Sequence, residues 1–130
     1  MIRLRIRAIV EGADCCSDVA FSEKPVSFLG DTDVRSGIIK GVGEVSGKIL
    51  LLPASVGSTV GSYVLYALSK NGKAPLAIVT SSIDPIIVTG AVISNIPLYQ
   101  LLEPWNKAKN ILMNGSRRGC IIKGEYLVID

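Results

Sequence analysis

Residues 2–10 alternate between apolar and other side chains. Ile2, Leu4, Ile6, Ala8 and Val10 share one face, and Arg3, Arg5 and Arg7 share the other. A period of two is that of a strand buried on one side. Gly12–Asp14 then turns the chain, and Asp18–Ser22 reads as a weaker strand. Pro25 opens a loop to about Gly37, with Gly30, Asp31 and Asp33 as turn residues, before the apolar pair Ile38 and Ile39. Lys48–Leu52 (KILLL) does not alternate. A short apolar run that stops at Pro53 fits a strand covered on both faces.

Beyond the loop Ala54–Gly61 the period changes again. Val60, Tyr63, Val64, Ala67 and Leu68 fall at i, i+3, i+4, i+7 and i+8, which predicts a helix. Asn71-Gly72 ends it, and Pro75 prevents continuation. Ala74–Thr80 reads as a second buried strand, so strand, helix and strand form a parallel βαβ unit with an expected right-handed crossover. Ile86–Asn95 is apolar and β-branched with Gly90 and Ala91 inside, and fits either a short helix or a strand. Leu98–Leu102 follows Pro97. Cys120–Lys123 and Tyr126–Ile129 fit a hairpin or meander, with turn signals at Asn114-Gly115 and Gly124. The pattern predicts an α/β fold with a mixed central β-structure, in one domain over residues 1–130.

Composition narrows the chemistry. The chain of 130 residues has no histidine, which excludes Ser-His-Asp triads, Cys-His dyads and histidine-ligated zinc within it. The net charge is only +3, and it is divided: residues 1–7 carry +3, residues 8–104 carry −3 and residues 105–130 carry +3. This is too small an excess to indicate nucleic acid. Cys15, Cys16 and Cys120 have no CxxC spacing and suggest no disulfide framework or metal cluster; buried reduced thiols in a cytoplasmic protein are expected. Residues Ile49–Ser69 are uncharged and long enough to cross a bilayer, but Pro53, Ser55, Gly57, Ser58, Thr59, Gly61 and Ser62 lie within them. No membrane segment is therefore expected, and the N-terminus, which alternates charge with Ile and Leu, lacks the apolar core of a secretory signal.

The candidate chemistry lies in Pro53–Tyr63 (PASVGSTVGSY), between a predicted buried strand and a helix. Ligands in α/β sheets sit beyond the C-terminal ends of strands. Glycines allow close backbone approach, and a helix start offers N–H donors to an anion. The segment lacks the Gly-Lys-Ser/Thr of a phosphate-binding Walker loop. It is not a G-x-S-x-G nucleophile elbow either. The plain alternative is a loop with a serine N-cap, Ser58 or Ser62, whose hydroxyls are used up by the backbone. A serine acts as a base only where its alkoxide is stabilised, by helix-start donors and by a cation from another chain.

The run KILLLPASVGSTVGSYVLYALSKNGKAPLAIV, then DPIIVTGAVISNIPL, with the earlier PVSFLGDTDVRSGII, resembles the small subunits of the aconitase X group, and within it those of archaeal dehydratases. The likeness is close over about residues 1–102 and looser in the tail. It implies a swivelling β/β/α domain, like the mobile domain of aconitases, acting as one chain of a heterodimeric hydro-lyase. An iron–sulfur cluster of [4Fe-4S] type would sit on the large subunit and none on this chain, its iron binding the leaving hydroxyl. The implied reaction converts mevalonate 5-phosphate to trans-anhydromevalonate 5-phosphate and water, on an archaeal route to isoprenoids. Another hydroxy acid, such as a hydroxyproline, or phosphometabolite binding without chemistry, are the other two readings. The resemblance places the proton acceptor at Ser62, with Ser58 as the other candidate, and substrate contacts at Gly57, Ser58, Thr59 and Gly61. Where many members of the wider group carry a basic residue, this chain has Val56. Positive charge for the substrate would then come from the large subunit.

Overall fold

In the computed structural model, which describes residues 1–130, the N-terminal alternation becomes β1 (Ile2–Val10), with Leu4 and Ile6 buried and the three arginines exposed. β1 pairs antiparallel with two strands in succession. Its residues 2–5 meet β10 (Tyr126–Ile129), and its residues 6–10 meet β8 (Leu98–Leu101). Between these lie β9 (Arg118–Ile122), β2 (Cys15–Phe21), β6 (Ile49–Leu52) and β7 (Ala77–Thr80). The seven close a barrel in the order β1-β10-β9-β2-β6-β7-β8. β2, β6, β7 and β8 run parallel to one another, while the other pairings are antiparallel. The mixed sheet is as expected, but its closure into a barrel is not part of the pattern. It depends on β1 engaging both ends of the sheet, through partners about one hundred residues away.

The continuous apolar run of β6 has a direct cause. Ile49 and Leu51 point into the barrel with Leu4, Ile6, Val19, Phe21, Val79 and Tyr99. Leu50 and Leu52 point outward, against Leu65 and Leu68 of α2 (Gly61–Lys70) and Ile87 and Ala91 of α3 (Pro85–Ser94). All four β6 side chains are fully buried. The crossovers β6–α2–β7 and β7–α3–β8 both join parallel neighbours. A small sheet of β3 (Thr32–Asp33), β4 (Ile38–Ile39) and β5 (Gly43–Glu44) follows the short α1 (Phe28–Asp31), where only a loop and an apolar pair are anticipated.

Capping decides the ambiguous segment in favour of a helix. Asp84 is the N-cap of α3, Pro85 stands at its first position, and Asn95 closes it in the left-handed conformation at φ 55°. α4 (Trp105–Asn114) is not anticipated. Its Ala108 and Leu112 are buried in the barrel core, but they stand among lysines and asparagines that weaken the periodic signal. No helix is long and apolar enough to cross a membrane.

The cysteine expectation is corrected. Cys16 and Cys120 are joined by a disulfide, leaving Cys15 free. The β2–β9 register puts Cys16 directly opposite Cys120, a pairing hidden in the sequence by a separation of 104 residues. Cys15 faces the other way, toward the barrel core, where burial pushes its thiol pKa up. Loop-closure arguments give a cross-link of this span about 2–5 kcal/mol of stability. Urea unfolding with and without a dithiol reductant should show that loss, and equal midpoints would exclude it.

Candidate active site

Because β6 and β7 are parallel, the loops that follow them leave at the same end of the barrel. The Pro53–Val60 loop is seated on the Pro25–Ser27 segment. Val26 N–H donates to the Ala54 carbonyl at 3.0 Å, and Val56 N–H donates to the Val26 carbonyl at 2.9 Å. Gly57 has φ 97°, and a Cβ there would fall 2.9 Å from Ser27 Oγ, so both conformation and space require glycine.

The helix start differs from the expected form. The N-cap of α2 is Val60, with no side-chain capping bond, so neither Ser58 nor Ser62 is the cap. Gly61, Ser62 and Tyr63 N–H already donate to the carbonyls of Ser58, Thr59 and Val60, at 3.0, 3.4 and 2.9 Å. The free donors lie one step earlier. The N–H groups of Gly57, Ser58 and Thr59 make no hydrogen bond within the chain, and all three residues are exposed. These three N–H groups are therefore open to solvent or to a ligand oxygen.

The two candidate serines are in different surroundings. Ser58 is exposed, and its Oγ accepts from Val60 N–H at 3.1 Å. Ser62 is only 5% exposed, and its Oγ donates to the Ile86 carbonyl of α3 at 2.8 Å. Ser62 lines a groove of about 390 Å³ between Thr59 and Tyr63 on one side and Ile86, Thr89 and Ile93 on the other. Gly61 is buried, its Cα facing Ile86 and Phe28. The structure therefore brings Thr59 and Ser62 to one groove, keeps Gly57 and Ser58 on the adjoining exposed loop, and places Gly61 beneath them. A larger cavity, about 440 Å³, lies away from this loop, and its Arg118 is already paired with Asp18 at 3.4 Å.

One polar residue of the site, Asp84, is missing from the sequence reading, whereas Ser55 is one of the loop hydroxyls expected to bond an anion or a water. The Asp84 carboxylate caps α3 and accepts a hydrogen bond from Ser55 Oγ. The Asp-Pro pair is the signal that marks Asp84 as an N-cap. Nothing local marks Asp84 as the partner of Ser55, 29 residues earlier.

The description "aconitase X swivel domain" fits residues 3–125. The chain belongs to the aconitase X swivel-domain family. It is 53% identical to the phosphomevalonate dehydratase small subunit of Pyrococcus abyssi, over 69% of this chain and 70% of that one. It is 42% identical to the protein of the same name from Methanosarcina acetivorans, over 88% and 87% of the two chains. Its fold is that of the holo-form crystal structure of Thermococcus kodakaraensis aconitase X, with a TM-score of 0.84 and 36% identity over the whole of both chains. The resemblance read from the three segments over about residues 1–102 is thus confirmed at the level of family and swivel-like fold.

The residues of this chain do not suit an iron–sulfur cluster. Cys16 and Cys120 are tied to each other, Cys15 stands alone, and no three His, Cys, Asp or Glu side chains converge.

Proposed function

We propose that this chain is the small subunit of a phosphomevalonate dehydratase, a hydro-lyase that works only with its large subunit. The observation that carries the assignment of roles is Ser62: a hydroxyl on a nearly buried residue that lines a groove beside three free backbone donors. The reaction takes a proton from the carbon next to the carboxylate of mevalonate 5-phosphate and hydroxide from the neighbouring carbon. Together these leave as water, and a double bond forms. Ser62 Oγ is the proton acceptor. Thr59 borders the groove, and the N–H groups of Gly57, Ser58 and Thr59 hold substrate oxygens.

The resting geometry explains why a partner is needed. An alkoxide at Ser62 would set a full negative charge 2.8 Å from the Ile86 carbonyl oxygen, the negative end of that bond's dipole, which is repulsive. In the free chain Ser62 is therefore a neutral donor. To act as a base it must turn from Ile86 and meet a cation, and this stretch offers none, since Val56 is apolar and exposed. The large subunit supplies that charge. Departure of the hydroxyl also falls to the large subunit, which the family equips with the iron–sulfur cluster. The domain as a whole closes over that site by a swivelling motion.

Reconstitution tests the proposal. This chain and its large subunit should co-purify, and only the pair should convert mevalonate 5-phosphate to trans-anhydromevalonate 5-phosphate. Turnover by this chain alone would refute the division of labour. Turnover by the pair of a hydroxyproline in place of mevalonate 5-phosphate would move the substrate assignment to another hydroxy acid.

A further inference from the structure

The site loop is fastened at both ends to a single turn of α3. At its start, Ser55 Oγ donates to Asp84 Oδ2. At its end, Ser62 Oγ donates to the Ile86 carbonyl at 2.8 Å. The two anchors are coupled, because Asp84 Oδ1 accepts from Ile86 N–H at 2.8 Å and from Ile87 N–H at 3.1 Å. One carboxylate thus fixes the peptide units that flank Ile86 and grips the far end of the loop. Between the anchors, Gly57–Thr59 has no backbone N–H bonded within the chain.

We infer that Ser55 and Asp84 are positioning residues for Ser62, forming a clasp that holds the loop and the Ile86 carbonyl in register. The inference rests on the assignment of Ser62 as proton acceptor. The cap alone would serve helix stability, and for that Asp84 needs only Oδ1. The bond from Ser55 to Oδ2 adds nothing to the cap. Its effect is to tie the start of the loop, which the Ala54 and Val56 backbone bonds seat on Val26, to the turn that orients Ser62. A hydrogen bond to a carboxylate is among the stronger kinds, and here both partners are half-buried. The negative charge of Asp84 is offset by the N-terminus of α3, so it is held there without a cation.

Ser55→Ala separates the clasp from the cap, since Asp84 keeps both N–H donors. In the reconstituted two-chain enzyme, Ser55→Ala should lower kcat on mevalonate 5-phosphate by about 10- to 100-fold, the scale of a displacement near 1 Å at a reacting group. KM should change little. Ser55→Thr, which restores a hydroxyl, should recover most of the rate. In the 130-residue chain by itself, amide ¹⁵N relaxation should show Gly57–Ser62 becoming more mobile in Ser55→Ala, with α3 amides unchanged. A Ser55→Ala enzyme with wild-type kcat, or a Ser55→Thr enzyme no better than Ser55→Ala, overturns the inference. Turnover retained by Ser62→Ala would instead remove the proton-acceptor assignment. The relaxation data then decide the clasp alone, and unchanged loop mobility overturns it.

Discussion

Replacing Ser62 by alanine in the assembled enzyme should reduce kcat by about 10²- to 10⁴-fold, the range carried by a positioned proton-transfer group. The substitution removes one oxygen from a site that is 5% exposed and leaves the Ile86 carbonyl facing the groove. Because that carbonyl can take a water from the groove, the loss of stability should be small, about 1 kcal/mol. The two chains should therefore stay associated. KM should change less than kcat, because the proposed substrate contacts are the N–H groups of Gly57–Thr59, which the substitution does not touch. A matching loss in Ser58→Ala is not expected. Ser58 Oγ is exposed and bonded only to Val60 N–H two residues on. Steady-state rates of the two variants, measured with the same large subunit, check this directly.

Gly90→Val should have the largest effect on the fold. A Cβ at position 90 would lie 2.5 Å from Leu65 Cδ1 and 3.3 Å from the Ser62 Cα. Helix propensity alone favours almost any residue over glycine inside a helix, by up to about 1 kcal/mol for alanine. Here close packing decides the sign, because Leu65 is fully buried and Ser62 contributes backbone. Valine adds two further methyl groups at this crossing. The cost should exceed about 2 kcal/mol, in the range of overpacked cores. Since α2 and α3 meet here, the substitution should also move Ile86 away from Ser62 and lower turnover in whatever folds. Thermal unfolding gives the first quantity, and kcat in the reconstituted enzyme gives the second. An unchanged melting temperature would mean that the helices slide apart at little cost.

The elements legible in the sequence are those whose burial leaves a period. β1 is buried on one face and alternates; α2 shows its apolar face against β6; β6 is apolar throughout because Leu50 and Leu52 meet the helices while Ile49 and Leu51 fill the barrel. α3 is ambiguous for the converse reason. Its residues are apolar nearly all round, so the caps Asp84 and Asn95 carry the information that periodicity lacks. Barrel closure and the Cys16–Cys120 bond both depend on register between strands distant in the chain, and no local pattern encodes register of that kind. At the site, loop chemistry marks the Gly-Ser segment but does not separate Ser58 from Ser62. Burial and the Ile86 carbonyl distinguish them. The Ser55–Asp84 bond joins residues 29 apart and belongs entirely to tertiary structure.

With no histidine in the chain, the proton acceptor we propose is a hydroxyl, Ser62, which lines the groove. By microscopic reversibility, the group that removes the proton next to the carboxylate also delivers it in the hydration direction. The decisive measurement supplies trans-anhydromevalonate 5-phosphate to the two-chain enzyme in D₂O and follows deuterium at the carbon next to the carboxylate by NMR. The wild-type and Ser58→Ala enzymes should incorporate deuterium there at similar rates, and the Ser62→Ala enzyme about 10²- to 10⁴-fold more slowly. Incorporation by Ser62→Ala at the wild-type rate would contradict the account.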